Sequence, residues 1–357
     1  MSKPEFQIIN SNQAKEIRKL VARCVPNDIH SHPDYLDMFS KYLSVELVYF
    51  LYGDPNDYIL VPFFKKRLTN NEGGGEYFDL VSPWYYGGPI YCVNKKSAVP
   101  GLSRSLRSAL NKYCAGNNIV SEFQRLNPAI DNYMLYKNDS GLVFNRETVC
   151  VDLRKSLEQI KKEYAYSVRK NIKTAERAGL NLIRSKTKDD WEKFVGIYLL
   201  SMQQKKAGDF YHFSSDFYYN FFDKFHNELE IFRVEYRGQT IAATLILGRY
   251  GTVHDYLRAS LPQYLSFRPN DYTINGIINW AKNSGYLYYS LGGGLSEDVN
   301  DTVLKFKKTF SPDTRKFYVY KKIHNLEKYR QLCFVAGKKE ERLAYEQASF
   351  FPEYPRL

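Results

Sequence analysis

Cysteine is scarce in this chain, and what there is makes no recognisable pattern. Cys24, Cys92, Cys114, Cys150 and Cys333 are scattered without a CxxC. That excludes the usual paired zinc and redox motifs, and an odd number argues against a disulfide framework, so a reducing compartment is expected. Long apolar runs are also lacking. The longest strongly apolar stretch, Ile241–Leu247, falls well short of the ~20 residues that cross a bilayer. The opening MSKPEFQIINSNQAKEIRKL is polar and does not follow the basic, apolar, small-residue order of a secretion signal. A cytoplasmic location is expected. Histidine clusters are missing too: His30 and His32 form one HxH beside Asp28 and Asp34, with no HExxH. That reads as a surface turn, and no metal is expected. Neither a GxSxG elbow nor a Cys–His pairing is present. An enzyme of this sequence would therefore transfer a group directly between two bound substrates, by positioning, an oxyanion stabiliser and a proton acceptor.

Negative charge is the last shortage. Asp and Glu number 39 against 51 Lys and Arg, a net charge of +12. The excess favours an acidic partner: nucleic acid, a nucleotide-linked substrate or an anionic membrane surface. With 44% hydrophobic and 25% charged residues over 357 positions, the chain is globular and long enough for two domains, each with its own core.

One order of elements occurs twice. In the first half, VELVYFLY and YILVPFF flank the turn GDPND as a hairpin. A strand EYFDLVSP follows, then WYYGGPIY, a helix over Leu102–Cys114 and a strand NIVSEFQRL. In the second half, LEIFRVEY and QTIAATLILG flank Arg237-Gly238, followed by the strand GTVHDYLRAS, the helix NDYTINGIINWAKNSG and the strand YLYYSLGG. Both halves run hairpin, strand, helix, strand, which predicts an α/β (α+β) protein.

Between them, DLRKSLEQIKKEYAYSVRKNIKTAERAGL reads as one or two helices ending at Gly179. Ala165, Val168, Ile172 and Ala175 make an apolar face, and Lys162, Tyr166, Arg169, Lys173 and Arg177 form a basic stripe. Such a stripe either holds phosphates or is a solvated face. The polar loop MQQKKAGDFYHFSSDFYYNFF, with Lys205, Lys206 and His212, is a candidate aromatic-lined cover for a substrate or an ordinary connector.

The segment Tyr286–Phe310, YLYYSLGGGLSEDVNDTVLKFKKTF, carries the strongest chemical signal. Gly292, Gly293 and Gly294 allow close backbone approach to a ligand at a strand end, and Lys305, Lys307 and Lys308 return positive charge on a short helix. A phosphate, carboxylate or acyl oxyanion suits such a place. The triple glycine matches neither the Walker A motif nor the dinucleotide fingerprint.

The stretch from RKNIKTAERAGL through EIFRVEYRGQTIAATLIL and HDYLRAS to YSLGGG and FKKTF resembles the GNAT-type domain of Fem-like aminoacyltransferases. FDLVSPWYYGGPIY is similar to the corresponding part of their first GNAT-like domain. The resemblance covers most of residues 1 to 325. It implies two tandem GNAT-like domains, each a mixed sheet flanked by helices, over 1–150 and 151–325, with a helical tail over 326–357. Arg184–Leu229 is too short for the coiled-coil arm of the larger members. Fem proteins move an amino acid from aminoacyl-tRNA to an amine of a peptidoglycan precursor, so the resemblance implies aminoacyl-tRNA as donor, a nucleotide- or lipid-linked envelope precursor as acceptor, and no cofactor. The pyrophosphate loop of acyl-CoA-binding relatives has no match in LPQYLSFRPNDY.

Carried over by residue, Phe306-Lys307-Lys308-Thr309-Phe310 matches the family's FKxxF element, which implies Lys307 as the electrostatic catalyst. In GTVHDYLRAS, alternation puts Asp255 on one face and His254, Tyr256 and Arg258 on the other. Asp255 or Tyr256 is a candidate proton acceptor or a core-edge hydrogen-bonding group. Arg169, Lys173, Arg258, Asn270 and the three glycines are candidate substrate contacts, and Trp84 and Tyr85 candidate lining of an acceptor groove. Two alternatives stand beside the Fem-like reading. One is an acyl-CoA-dependent N-acyltransferase acting on a nucleotide sugar or polysaccharide. The other is a non-catalytic RNA- or glycan-binding module, for which no RNA-recognition signature is present.

Overall fold

The computed structural model describes residues 4–68, 75–83, 85–204, 213–298, 300–336 and 351–354. In chain order its strands and helices are β1 (Glu5–Asn10), α1 (Ala14–Arg23), α2 (Pro33–Tyr42), β2 (Glu46–Gly53), β3 (Tyr58–Arg67), β4 (Phe78–Val81), β5 (Ile90–Cys92), α3 (Val99–Gly116), β6 (Ile119–Arg125), β7 (Leu142–Asp152), α4 (Leu157–Glu163) and α5 (Tyr166–Arg177). There follow β8 (Asn181–Ser185), α6 (Lys188–Gln204), α7 (Ser215–Lys224), β9 (Leu229–Tyr236), β10 (Gln239–Arg249), β11 (Thr252–Ser260), α8 (Pro269–Asn283), β12 (Tyr288–Gly293), α9 (Thr302–Lys308), β13 (Thr314–Ile323) and α10 (Leu326–Val335).

The chain forms two compact units: residues 1–145 with 316–357, and residues 146–315. This division differs from the expected 1–150, 151–325 and 326–357. The chain returns to the first unit at Lys316, where β13 pairs antiparallel with β6 from Val319 opposite Arg125 to Ile323 opposite Ser121. The expected separate tail joins it there. Tyr329, Leu332 and Cys333 of α10 pack with Phe351, Tyr354 and Val120 of β6 in one apolar cluster, and Tyr354 Oη donates to Asp79 Oδ1 at 2.7 Å.

The two units have the same sheet topology. In the first, the order is β1-β2-β3-β4-β6-β13; in the second, read from the matching edge, it is β8-β9-β10-β11-β12-β7. Each has three antiparallel pairings in a row, then a parallel pair joined through a helix, then an antiparallel last strand. The twice-repeated order legible in the sequence is therefore a repeated topology. Alternating β-branched and aromatic residues supply the strands, and the hairpin turn at Arg237 and Gly238 has φ of 49° and 78°, the left-handed pair that such a two-residue turn demands.

Each unit buries its own core. In the first, Phe50, Val61, Phe63 and Leu80 of the sheet meet Leu106 and Leu110 of α3. In the second, Val151, Phe232, Ile246, Val253 and Tyr289 meet Ile160 of α4, Val168 of α5, and Ile274, Ile277 and Ile278 of α8. At about 1.5–3 kcal/mol for each fully buried large apolar side chain, these clusters outweigh any single ion pair in holding the sheets. On α6 of the second unit Trp191 packs with Phe194, and with Tyr218, Phe221 and Phe222 of α7.

The helical segment expected between the halves lies inside the second unit and is two helices. A capping box between Ser156 and Gln159 starts α4, and extended backbone at Tyr164 and Ala165 ends it before α5. The expected apolar face of Val168, Ile172 and Ala175 is on α5. The basic stripe is shorter than read from sequence, because Lys162 belongs to α4.

Candidate functional site

The second unit opens where its parallel strands part. The ladder between β11 and β12 runs from Thr252 opposite Tyr288 to His254 opposite Ser290. Beyond it β11 continues to Ser260 and β12 to Gly293. Two irregularities prepare the opening. On β12 the pairing with β7 shifts between Ser290 and Gly292, with Gly292 at φ 73°. On β11 a bulge leaves Tyr256 between Asp255, opposite Ile246, and Leu257, opposite Leu245. Bulges re-aim side chains beside active sites, and clefts outside the carboxyl ends of parallel strands are the common ligand sites of open sheets.

The bulge changes which residues meet. Simple alternation separated Asp255 from Arg258; in the structure they form an ion pair, with side chains 8% and 19% exposed. Arg258 Nε donates to Asp255 Oδ1 at 3.3 Å and Arg258 Nη2 to Oδ2. Tyr289 Oη, fully buried on β12, also donates to Oδ2, at 2.7 Å. Burial, reinforced by the neighbouring carboxylate, pushes the Tyr289 phenol well above its ordinary range, so it stays a donor. Arg258 Nη1 is buried without a hydrogen-bond partner among the described residues. Tyr256, the other candidate proton acceptor, is buried and stacks on Phe221 of α7, ring centroids 5.6 Å apart.

Lys307 comes to this group from α9. The helix is set by its two ends. Asp301 caps it, with Oδ1 accepting from Leu304 N at 2.8 Å and Oδ2 from Leu295 N and Ser296 N at 2.9 and 3.0 Å. Led by the Leu304 amide, these bonds hold its carboxyl down at about 2. At the far end Phe310 is fully buried against Phe306 and Tyr164. Between these anchors Lys307 Nζ donates to Gly293 O at 2.6 Å. The residue keeps partial solvent exposure, yet burial around its ammonium lowers its pKa to about 8; Asp255 opposes that shift and Arg258 adds to it. A lysine so placed is a cation near its titration point at a strand-end opening.

The triple glycine has packing reasons as well as a ligand one. A Cβ on Gly294 would lie 2.4 Å from Asp301 Oδ1, and one on Gly293 3.1 Å from Arg146 Cδ. These glycines admit the cap and Arg146, whose Nη1 donates to Gly294 O at 3.0 Å. Of the other lysines, Lys308 pairs with Glu147 at 2.5 Å and Lys305 donates to Asn300 Oδ1 at 2.9 Å.

The remaining candidates fall elsewhere in the second unit. Arg169 is exposed on α5 and donates through Nη1 to Tyr164 O at 2.5 Å; Lys173 is exposed one turn on. Asn270, in the first turn of α8, accepts from Ser260 Oγ at 2.7 Å. Sequence reasoning missed Tyr289, Arg146 and the buried Asp271, which accepts from Asn171 Nδ2 at 3.0 Å and whose carboxyl burial pushes up. Asp301 had a readable signal, an Asp immediately before the helical run TVLKFKK.

In the first unit Tyr85 has φ 71° and stacks on His30, centroids 5.0 Å apart. The expected surface turn there is buried: Asp28 and His30 are both fully enclosed, and Asp28 caps the turn by accepting from His30 N at 3.1 Å. Trp84 and the cover loop with Lys205, Lys206 and His212 lie outside the described residues.

Residues 162–307, most of the second unit, match the family model of the acetyltransferase (GNAT) domain. No curated protein sequence matches the chain. Among solved structures, FemX is similar over 92% of this chain and 99% of its own, with a TM-score of 0.65 at 11% identity. The C-terminal domain of a putative lysylphosphatidylglycerol synthetase from Agrobacterium fabrum is similar over 89% and 94%, TM-score 0.53, 13% identity. A conserved protein of unknown function from Bacteroides thetaiotaomicron is similar over 89% and 99%, TM-score 0.54, 10% identity. The fold is similar to that of FemX.

Proposed function

We propose that this protein is a Fem-like acyltransferase that moves an aminoacyl or acyl group onto an amine of a bacterial cell-envelope precursor. The observation that carries the reading is Lys307, held by Gly293 O at the opening between β11 and β12, at the lysine position of the FKKTF element. As the amine attacks, charge gathers on the carbonyl oxygen, and a desolvated ammonium nearby stabilises that oxyanion more than the neutral carbonyl. Arg258 Nη1, buried without a partner among the described residues, is a second N–H for an anionic group. A new C–N bond forms, the bond to the ribose oxygen or thiol sulfur breaks, and the leaving atom takes up the proton that the amine loses.

Aminoacyl-tRNA leads as donor. The fold-level neighbours named FemX and lysylphosphatidylglycerol synthetase support it, as do Arg169 and Lys173 exposed on α5. The match to an acetyltransferase domain favours acyl-CoA as the second reading. Against that donor, the turn into α8 carries Arg268 at φ 61° in place of a glycine cradle. Titration with mixed aminoacyl-tRNA and, separately, acetyl-CoA at two salt concentrations tests the choice. Saturable tRNA binding without CoA binding supports the leading donor; saturable CoA binding replaces it. Salt-sensitive RNA binding with no transfer to any amine would instead favour the binding-module reading.

A further inference from the structure

The carboxylate of Asp255 lies in the field of Lys307, and an ammonium beside a carboxylate would ordinarily close on it as an ion pair. Here both carboxylate oxygens are already held, by Arg258 on Oδ1 and Oδ2 and by Tyr289 on Oδ2. We propose that Arg258 and Tyr289 are positioning residues that occupy Asp255, so that Lys307 keeps its ammonium on Gly293 O and facing the opening instead of being neutralised by the carboxylate. The inference rests on the reading of Lys307 as the catalytic cation and adds how the fold keeps it available.

The geometry has three supports. Tyr289 is fully buried and its phenol remains protonated, so its bond to Asp255 is directional from Tyr289 to the carboxylate. The bulge at Tyr256 is what brings Arg258 onto Asp255; without it this fork would point away. Lys307 forms no ion pair among the described residues, whereas Lys308 next to it pairs with Glu147.

The charged and titratable groups around Lys307 are few. Asp255 and Arg258 act on it from β11 and Asp301 from the start of α9. Tyr289 stands behind Asp255 on β12, Glu147 is taken by Lys308, and Arg146 is on Gly294 O. Tyr164, protonated in its buried place, packs on Phe310. Removing Arg258 takes away a like charge and frees Asp255. The Lys307 titration midpoint should then rise.

The test is competitive labelling of Lys307 with acetic anhydride across pH, read by mass spectrometry on the intact chain. Wild type should label with a midpoint near 8. Arg258→Gln should move the midpoint up by about one unit or more, the size expected when a like charge is lost and an opposite one is freed. Tyr289→Phe should move it up by less, Asp255→Asn should move it down, and Arg258→Lys should restore part of the wild-type value. An unmoved midpoint in folded Arg258→Gln and Tyr289→Phe would overturn the proposal. Because labelling needs neither donor nor acceptor, that outcome is distinct from loss of the transferase reading, which falls if Lys307→Ala keeps full transfer. Should Arg258→Gln fail to fold, Tyr289→Phe decides alone, since it deletes one hydroxyl and keeps the ring.

Discussion

The two units share a topology and use it in opposite ways. In the second, the parallel pair β11 and β12 shares three residues of ladder and then parts around Lys307, Asp255 and Arg258. In the first, the equivalent pair β4 and β6 stays joined past the end of β4. Ser82 N donates to Phe123 O at 2.7 Å, Arg125 N to Ser82 Oγ at 3.0 Å, and Gly87 N to Arg125 O at 2.7 Å, with a final bridge between Gly87 and Leu126. Charge in this unit is locked inside. Fully buried Glu122 accepts from Arg107 Nη1 at 2.8 Å and from Gln124 Nε2 at 2.6 Å, and it contacts His324 Nε2 at 3.0 Å. Burial pushes its carboxyl up, but Arg107 and His324 more than reverse this and hold it at about 2. The first unit thus pairs its fully buried carboxylate with a guanidinium, while in the second Lys307 donates to a backbone carbonyl on the strand that parts from its neighbour. We propose that one fold serves as scaffold or as site according to whether its parallel pair stays closed.

Substitutions in the two units should therefore separate stability from chemistry. Lys307→Ala should reduce transfer by about 10²-fold or more while the melting temperature stays near wild type, as expected on removing an electrostatic stabiliser; kinetics and a thermal melt check both halves. Glu122→Ala should do the reverse. Stranding Arg107 in the core should cost about 3–5 kcal/mol in denaturant unfolding, while turnover per folded molecule is preserved. A loss of turnover without a loss of stability would erase the contrast between the units.

Lys307 also sets a pH dependence of stability. Its folded pKa, about 8, lies below the unfolded value of 10.5, so the unfolded chain binds more protons between these values. Its contribution to stability should rise with pH across that window and be flat below it. Lys307→Met should remove the rise, which paired denaturant titrations at pH 7.5 and 10 would detect. The smallest effect expected is at the helix cap: Asp301→Ala should lower the denaturant midpoint slightly and loosen α9, slowing transfer less than Lys307→Ala does.

Much of this was legible in the chain because hairpins and amphipathic helices announce themselves locally. The Arg237-Gly238 turn, the GDPND hairpin and the helix after β11 came from turn chemistry and periodicity. Lys307 came from its place in FKKTF. What could not be read depends on contacts distant in sequence. The return of β13 and α10 to the first unit needs Val120 to meet Tyr329 and Phe351, and nothing near residue 320 says so. The bulge at Tyr256 shifts the phase of β11 by one residue, and strict alternation then misassigns Arg258. His30 and Asp28 are polar letters that the fold encloses, a pairing that local hydropathy reads as surface.

The central claim is that the ammonium of Lys307, at the parted strands, carries the chemistry. The single-turnover rate of transfer against pH, at saturating donor, tests it most directly. The account expects the rate to fall as pH rises through about 8, and the falling limb to move to higher pH in Lys307→Arg, which stays charged. A rate that rises through the same range would make Lys307 a base instead of a cation. A profile unchanged by Lys307→Arg would place the chemistry elsewhere in the molecule.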